Sequence, residues 1–275
     1  MPQERELVTL LHEAATHNSA HVELPNLVTV LNQLFPDASW AHFLEKWENV
    51  FFSILVISLI GFTTITAARK KSVIPEGLQN FVELVVEGIQ SFVTGILGEY
   101  GREHIPFLGT VFIYILLMNW SGLIPLMKSS TASWSTTIAL ALAVTAYVQW
   151  TGVSTQGLPN YLKHIAGNPS NIFGFILIPL MLVINLTIEF LAVPLSLSLR
   201  LFANVSSEDK LLFKFAELNV LFKGLPFLLQ LFANLLAIAF SVVQAFVFML
   251  LSTVYISLVL PHEKGHEESV SHAHS

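Results

Sequence analysis

The chain has 275 residues, of which 53% are hydrophobic and only 12% are charged, and it contains no cysteine. Soluble globular chains carry about 25% charged residues, so this composition indicates the membrane class. The lack of cysteine excludes disulfides and thiolate chemistry. No basic cluster exceeds Arg69–Lys71, which argues against nucleic acid as a partner. The formal net charge of -6 arises mostly outside the apolar stretches.

Residues 1–47 form a mixed, polar extension, in which a short amphipathic helix is expected around Leu27–Leu34. Its histidines, His12, His17 and His21, do not have the spacing of a strong metal site, so we expect no metal and no other cofactor. The first membrane helix covers residues 49–68 and is followed at once by the basic run Arg69–Lys71. Because basic residues concentrate in cytoplasmic loops, the N-terminus is expected outside.

The next helix, over residues 76–98, carries Glu83 and Glu87 at helical spacing and is predicted to be amphipathic and to lie along the cytoplasmic interface. Four further membrane helices are predicted within a membrane domain that spans residues 48–261, at 105–127, 135–153, 171–205 and 224–260. Residues 154–170 are interpreted as an inner loop, and Val205–Lys223 as a polar link. The tail, residues 262–275, is polar and is expected to be cytoplasmic and disordered.

The uncharged stretch at 224–261 has 38 residues, which is roughly 57 Å as a helix against a hydrocarbon core of about 30 Å. It must therefore tilt strongly, or break near Pro226. The predicted fold is an all-α polytopic membrane protein with about five membrane helices and one interfacial helix. The last two membrane helices are expected to be long, tilted and paired as a hairpin.

Arg200 is the residue around which the membrane part is organised, because from Ser129 to Ser207 only Lys163, Glu189 and Arg200 are charged. A guanidinium cannot release its proton to ease its burial. Placing it at mid-bilayer costs roughly 3 kcal/mol on insertion scales. A fixed positive charge that is kept at this cost is predicted to be functional.

Other polar residues fall near the same helical stripe as Arg200. On a regular helix, Glu189 lies eleven residues before it and about 20° away in azimuth. Ser196, Asn204, Ser207 and the nearby Glu208 continue this ladder. The last helix carries Ser241, Gln244, Ser252 and Tyr255, and Gln244 is able to hydrogen-bond Arg200 without neutralising it.

Two interpretations of this ladder follow from the residues alone. A structural ion pair between Glu189 and Arg200 is disfavoured, because they would be about 16 Å apart along the helix axis. The functional interpretation is two proton-accessible half-paths that are separated by the permanent charge of Arg200. A carboxylate on another subunit would pass the arginine only when ionised.

The stretch Pro194–Asn204 (PLSLSLRLFAN) resembles the most distinctive motif of the F-type ATP synthase subunit a family, with Arg200 at the family's essential arginine. The resemblance covers about residues 45–260. It continues at Pro75, Gln79, Glu83, Asn119, Gly122–Pro125, Gln244–Met249 and Val254–Tyr255.

This resemblance implies a stator beside a rotating ring of c subunits, with b-type peripheral stalk subunits and the lipid bilayer as further partners. Such a subunit has no catalytic chemistry of its own and carries H+, or Na+ in some members, through two offset half-channels. The arginine separates protonated from deprotonated ring carboxylates, and the glutamine at Gln244 lies close to it. The resemblance also implies a bacterial inner membrane, with an energy-transducing organelle membrane as the alternative.

Carried over by position, Asp209 matches an acidic residue nine after the arginine, and Asn204 matches the family asparagine. Glu208 with Asp209 resembles the acid pair of chloroplast and cyanobacterial members, and Glu189 also matches their spacing. Two positions depart from the pattern. Ala237 stands where some members have an ionisable side chain, and Lys210 directly follows Asp209.

Two other classes of protein were weighed against this one. A secondary transporter with a central arginine for an anionic substrate predicts internal repeats and Gly-rich helix breaks beside the arginine. The two halves of the sequence show no convincing similarity, and only prolines lie near Arg200. A purely structural scaffold leaves the polar ladder unexplained.

Overall fold

The structure is a computed structural model that describes residues 26–35, 38–69, 77–124, 126–167, 172–221 and 227–260. Within these ranges every regular element is a helix. The α-helices are α1 (Leu27–Leu34), α2 (Ser39–Lys46), α3 (Glu48–Arg69), α4 (Leu78–Leu97), α5 (Gly101–Ser121), α6 (Trp134–Gln156), α7 (Leu158–Ile165), α8 (Ile172–Thr187), α9 (Val193–Leu221) and α10 (Phe227–Val259). Short 3₁₀ turns occupy Gly98–Tyr100 and Ser130–Ala132, and a π-helical segment occupies Ile188–Ala192.

Five stretches of the described chain are long and apolar enough to cross a membrane, which confirms the predicted fold class. They are Glu48–Thr66, Gln79–Ser121, Trp134–Gln156, Ile178–Phe215 and Leu228–Val259. Helix α10 has 33 residues, about 50 Å, which exceeds the thickness of a hydrocarbon core. The N-terminal histidines, Lys70, Lys71, Pro226 and the tail lie outside the described residues.

Three boundaries differ from the prediction. Helix α7 occupies part of the predicted inner loop, since Gly157 adopts φ +76° and turns the chain directly into a new helix. Helix α9 continues to Leu221, through the predicted polar link, because no Gly or Pro interrupts residues 195–221 and polar side chains alone do not end a helix. Helix α5 ends at Ser121 instead of 127, at the turn that begins with Gly122.

The chain divides into two compact units. In the first unit, residues 26–62, 114–136 and 201–245, α9 and α10 pair as an antiparallel hairpin. Leu212 of α9 packs with Ala233 and Ala237 of α10, while Asn204 of α9 contacts Gln244 further along α10. The contacting positions run in opposite directions along the two helices, as the prediction of a hairpin requires.

The start of the described chain is tied to this first unit. Asn26 caps α1 in a reciprocal capping box with Thr29. The Leu27 N–H donates to the Leu126 carbonyl over 2.7 Å, and the Asn26 amide donates to the Glu48 carboxylate. Lys128 completes the group with an ion pair to Glu48 at 3.3 Å. Helix α1 is therefore anchored to the segment that follows α5.

In the second unit, residues 63–113, 137–200 and 246–260, α4 and α5 are joined by the 3₁₀ turn Gly98–Tyr100. Gly98 has φ +60°, and a Cβ on Gly101 would lie 3.0 Å from Thr94 Cα, so the close approach requires glycine. Helices α5 and α6 are joined by aromatic packing, in which Phe107 stacks on Tyr147 with 3.8 Å between ring centroids.

Candidate functional site

Arg200 lies on α9 and its side chain is exposed, as is that of Ser196 one turn earlier. Pro194 near the start of this helix has no N–H to donate to the preceding turn. The π-helical segment Ile188–Ala192, which comes directly before α9, accommodates this missing bond. Both side chains thus project from a helix that is apolar around them.

The π-helical segment corrects one geometric expectation. The 20° azimuth between Glu189 and Arg200 assumed a regular helix of 100° per residue. A π-helix bonds each residue to the fifth one along and turns less per residue, so Glu189, which lies inside the segment, is displaced from the predicted stripe. The stripe is regular only from Val193 onward, where α9 begins.

Glu189 is half-buried and is held by two neutral partners of the second unit. Gln149 Nε2 and the Tyr161 hydroxyl each donate to Glu189 Oε2 over 3.2 Å. Tyr161 is only 4% exposed. Burial raises the pKa of the Tyr161 phenol, and the nearby Glu189 carboxylate raises it further. Tyr161 therefore keeps its proton and stays a hydrogen-bond donor at physiological pH.

These bonds bear on the structural ion pair that the sequence left open. The carboxylate of Glu189 is bound by an amide and a phenol, both uncharged. Among the described residues of the second unit, Arg200 forms no salt bridge. Glu189 and Arg200 therefore do not form an ion pair within this unit.

Asn204 and Gln244 join the two helices of the hairpin in the first unit. Asn204 Nδ2 donates to Gln244 Oε1 over 2.6 Å. Gln244 is buried, and its Nε2 has no hydrogen-bond partner among the described residues. Ser241, one turn before, is 1% exposed. Gln244, which was predicted to be able to hydrogen-bond Arg200, accepts a hydrogen bond from Asn204 within this unit.

The acidic pair lies one turn further along α9. Asp209 Oδ1 lies 3.5 Å from where a Cβ on Gly122 would be, and that Cβ would be 3.0 Å from Ser129 Cβ. Glu208 is half-buried, and its Oε1 has no hydrogen-bond partner among the described residues. Ser207 and Lys210 are exposed. The two carboxylates therefore leave the helix in different directions, with Asp209 directed at the turn after α5.

Asn119 is 6% exposed, and its carbonyl oxygen lies 3.5 Å from the same Cβ position on Gly122 as Asp209 Oδ1 does. The Thr131 hydroxyl donates to Asn119 Oδ1 over 2.7 Å, and Ser129 Oγ lies 2.6 Å from Thr131 Oγ1. Ser206 of α9 donates to the Ala132 carbonyl over 3.2 Å. A buried row of hydroxyl and amide groups thus flanks the segment next to Asp209.

Ala237, where some members of the predicted family have an ionisable group, is 3% exposed and packs against Leu212. Its role in this chain is packing between the two helices of the hairpin.

Sequence reasoning did not identify several of these residues. They are Gln149, Tyr161, Ser129, Thr131 and Ser206. The signals were present as Gln149 inside the uncharged helix α6 and as the hydroxyl-rich run that follows Lys128.

The fold and these side chains define a polytopic helical membrane protein with ionisable and amide groups along its long apolar helices. Residues 50–257 match the ATP synthase A chain family. ATP synthase subunit a of Protochlamydia amoebophila (strain UWE25) is 44% identical over 250 residues, which cover 88% of this chain and 91% of that protein.

Two further relatives are also named ATP synthase subunit a. ATP synthase subunit a 3 of Pelobacter propionicus (strain DSM 2379 / NBRC 103807 / OttBd1) is 38% identical over 76% of this chain and 86% of its own length. ATP synthase subunit a of Helicobacter pylori (strain P12) is 34% identical over 78% of this chain and 91% of its own length. The chain belongs to the ATP synthase A chain family, and it is an integral membrane protein. The resemblance inferred from the sequence is confirmed, and the transporter and scaffold interpretations are set aside.

Proposed function

We propose that this chain is the stator subunit that passes protons to and from the carboxylates of a rotating c-ring through two offset half-channels. Arg200 separates the two half-channels and prevents protons from leaking directly between them. The chain has no catalytic chemistry of its own and works within the H+-transporting ATPase, beside the c-ring and b-type stalk subunits. H+ is the ion proposed, with Na+ as the other candidate.

The observation that carries this proposal is the exposed guanidinium of Arg200 on α9, inside the apolar stretch Ile178–Phe215. A permanent charge within an apolar membrane stretch is costly unless a negatively charged group pairs with it. Acidic residues lie before and after it in the same apolar stretch, with Glu189 in the π-helical segment and Glu208 and Asp209 on α9. This order supports one path to each side of the membrane.

We assign the remaining polar residues to these paths by their place in the chain. Glu189 and Ser196 serve the inner path, whereas Glu208, Asp209, Ser207 and Asn119 serve the outer path. Asn204 follows Arg200 by one helical turn on α9 and is bonded to Gln244. The proposed setting is a bacterial inner membrane, with the N-terminus outside and the C-terminus in the cytoplasm.

The experiment that tests the proposal is Arg200→Ala in the complete ATP synthase, assayed in inverted membrane vesicles. ATP-driven proton pumping should be abolished while the complex still assembles, because the barrier to proton leak is gone. Arg200→Lys should fail as well, since Lys lacks the planar fork and the strong basicity of Arg. Lys214→Ala, which removes another cation from the same helix, serves as the matched control and should still pump.

Normal pumping by Arg200→Ala would contradict the proposal. Near-normal activity of Arg200→Lys alone would show that only the charge at this position matters.

A further inference from the structure

We propose that Tyr161 and Gln149 are positioning residues for Glu189 that hold its carboxylate in place through both gain and loss of its proton. The inference rests on the proposed function, because it assumes that Glu189 takes part in proton transfer. It adds a short helix, α7, and two residues to the inner path.

The first argument is convergence. Gln149 comes from α6 and Tyr161 from α7, and both donate to the same carboxylate oxygen, Glu189 Oε2. Two donors from two helices fix the direction of the carboxyl group more strictly than one. Oε1 takes part in neither bond, so one oxygen of the group is left for the mobile proton.

The second argument is the chemistry of the two partners. A phenol and a primary amide can each donate or accept a hydrogen bond, whereas Lys and Arg can only donate. An ionised Glu189 accepts from both, as in the structure. A Glu189 protonated on Oε1 can keep both bonds at Oε2, and one protonated on Oε2 can donate to Tyr161 or, after the amide turns over, to Gln149 Oε1. That oxygen is buried and has no partner among the described residues, so turning the amide breaks no other described bond of Oε1.

The third argument is that Tyr161 is held rigidly. Gly157 makes the turn between α6 and α7, and the Tyr161 N–H donates to the Gly157 carbonyl over 3.0 Å. The ring then packs on Gly152 so closely that a Cβ there would lie 2.7 Å from Tyr161 Cε2. A ring that is 4% exposed and packs this closely on Gly152 has little freedom to swing away from Glu189.

The ends of α7 are fixed as well. Gln156 Nε2 donates to the Val259 carbonyl over 2.5 Å, just before α7 begins. At its other end, Asn185 Nδ2 donates to the Ile165 carbonyl over 2.7 Å. An eight-residue helix is marginal alone, so these side-chain bonds and the buried Tyr161 hold it against its neighbours.

Tyr161→Phe tests the inference in the complete ATP synthase, because it keeps the ring and removes only the donor. We expect ATP-driven proton pumping in inverted vesicles to fall about fivefold, since one hydrogen bond to a charged group is lost. Gln149→Met should lower it in the same direction. The matched control is Tyr147→Phe, whose hydroxyl faces His104 Nδ1 at 2.9 Å in the same unit, and it should change pumping less than twofold.

The decisive comparison uses Glu189→Gln as a second background. If Tyr161 acts through Glu189, Tyr161→Phe should have no further effect there. A purely structural role for Tyr161 would lower pumping in both backgrounds, so only an action through Glu189 makes the loss depend on Glu189.

An equal loss in both backgrounds, or an equal loss in Tyr147→Phe, would overturn the inference. So would unchanged pumping in Tyr161→Phe. The proposed function is tested separately by Arg200→Ala. If Arg200→Ala does not pump and Tyr161→Phe pumps normally, only the inference is wrong. If Arg200→Ala pumps normally, the proposed function itself is wrong.

Discussion

The acidic side chains of the two units are held in contrasting ways. In the second unit, Glu189 is a lone carboxylate bound by two neutral donors from different helices. In the first unit, Glu208 and Asp209 are consecutive on α9, and Asp209 lies against the backbone turn at Gly122. One site fixes a single acid tightly, whereas the other offers two acids side by side.

This difference predicts how sensitive pumping is to a single substitution at each acidic site. Glu208 and Asp209 are consecutive on α9, so replacing either one leaves a carboxylate on the neighbouring residue. Glu189 has no second carboxylate beside it in sequence. A lone acid should therefore be the more sensitive of the two sites to a single substitution.

The largest expected effect is that of Glu189→Gln. ATP-driven pumping should fall at least tenfold, because general acid-base transfer through that position is lost. Glu208→Gln and Asp209→Asn should each cost only about twofold, while the double variant should approach the loss seen for Glu189→Gln. Proton pumping and ATP synthesis measured in the same vesicles check this order. A single Asp209→Asn variant that is as inactive as the double variant would break the comparison.

A smaller effect is expected when a Cβ is added at Gly152 or Gly122, where other atoms approach the glycine closely. A Cβ at Gly152 would meet Tyr161 at 2.7 Å, while one at Gly122 would meet Ser129 Cβ at 3.0 Å. Such overpacking costs about 1–3 kcal/mol, so Gly152→Ala should reduce the assembled complex and its pumping more than Gly122→Ala does. Gly88→Ala is the control, since a Cβ there meets nothing within 4 Å. The yield of assembled complex and its pumping per complex give the readout.

The opposite order, with Gly122→Ala the worse of the two, would show that the packing at Asp209 is the less tolerant site. The contrast between the units would then be reversed.

Much of the fold could be predicted, because a long uncharged apolar run in a membrane has few alternatives to a helix. The helices and the α9–α10 hairpin follow from such runs. The π-helical segment at Ile188–Ala192 and the helix α7 could not be predicted in this way. Their causes are local: the missing N–H of Pro194, and a turn at Gly157 that was interpreted as part of a loop.

The candidate site was predictable only where its signal lay in one residue or one helix. Arg200 was found because charge is scarce, and Asp209 and Asn204 because they share its helix. Gln149 and Tyr161 are 40 and 28 residues from Glu189 in sequence. No periodicity within one helix connects them, so only the packing of α6 and α7 reveals their role.

The smallest expected effect concerns the anchor of the first unit, where Lys128 pairs with Glu48 at 3.3 Å and both side chains are 17% exposed. Lys128→Ala should lower the stability of the assembled complex by about 1 kcal/mol, because Glu48 keeps its bond to Asn26. Pumping should stay within twofold of normal, since neither Lys128 nor Glu48 is assigned to a proton path. The matched control is Glu45→Gln in the exposed pair with His42, which should leave the dissociation temperature unchanged. If Lys128→Ala stops pumping while the complex stays assembled, the Lys128–Glu48 pair belongs to the outer path. The first unit would then tolerate substitution less well than expected from its two neighbouring acids, Glu208 and Asp209.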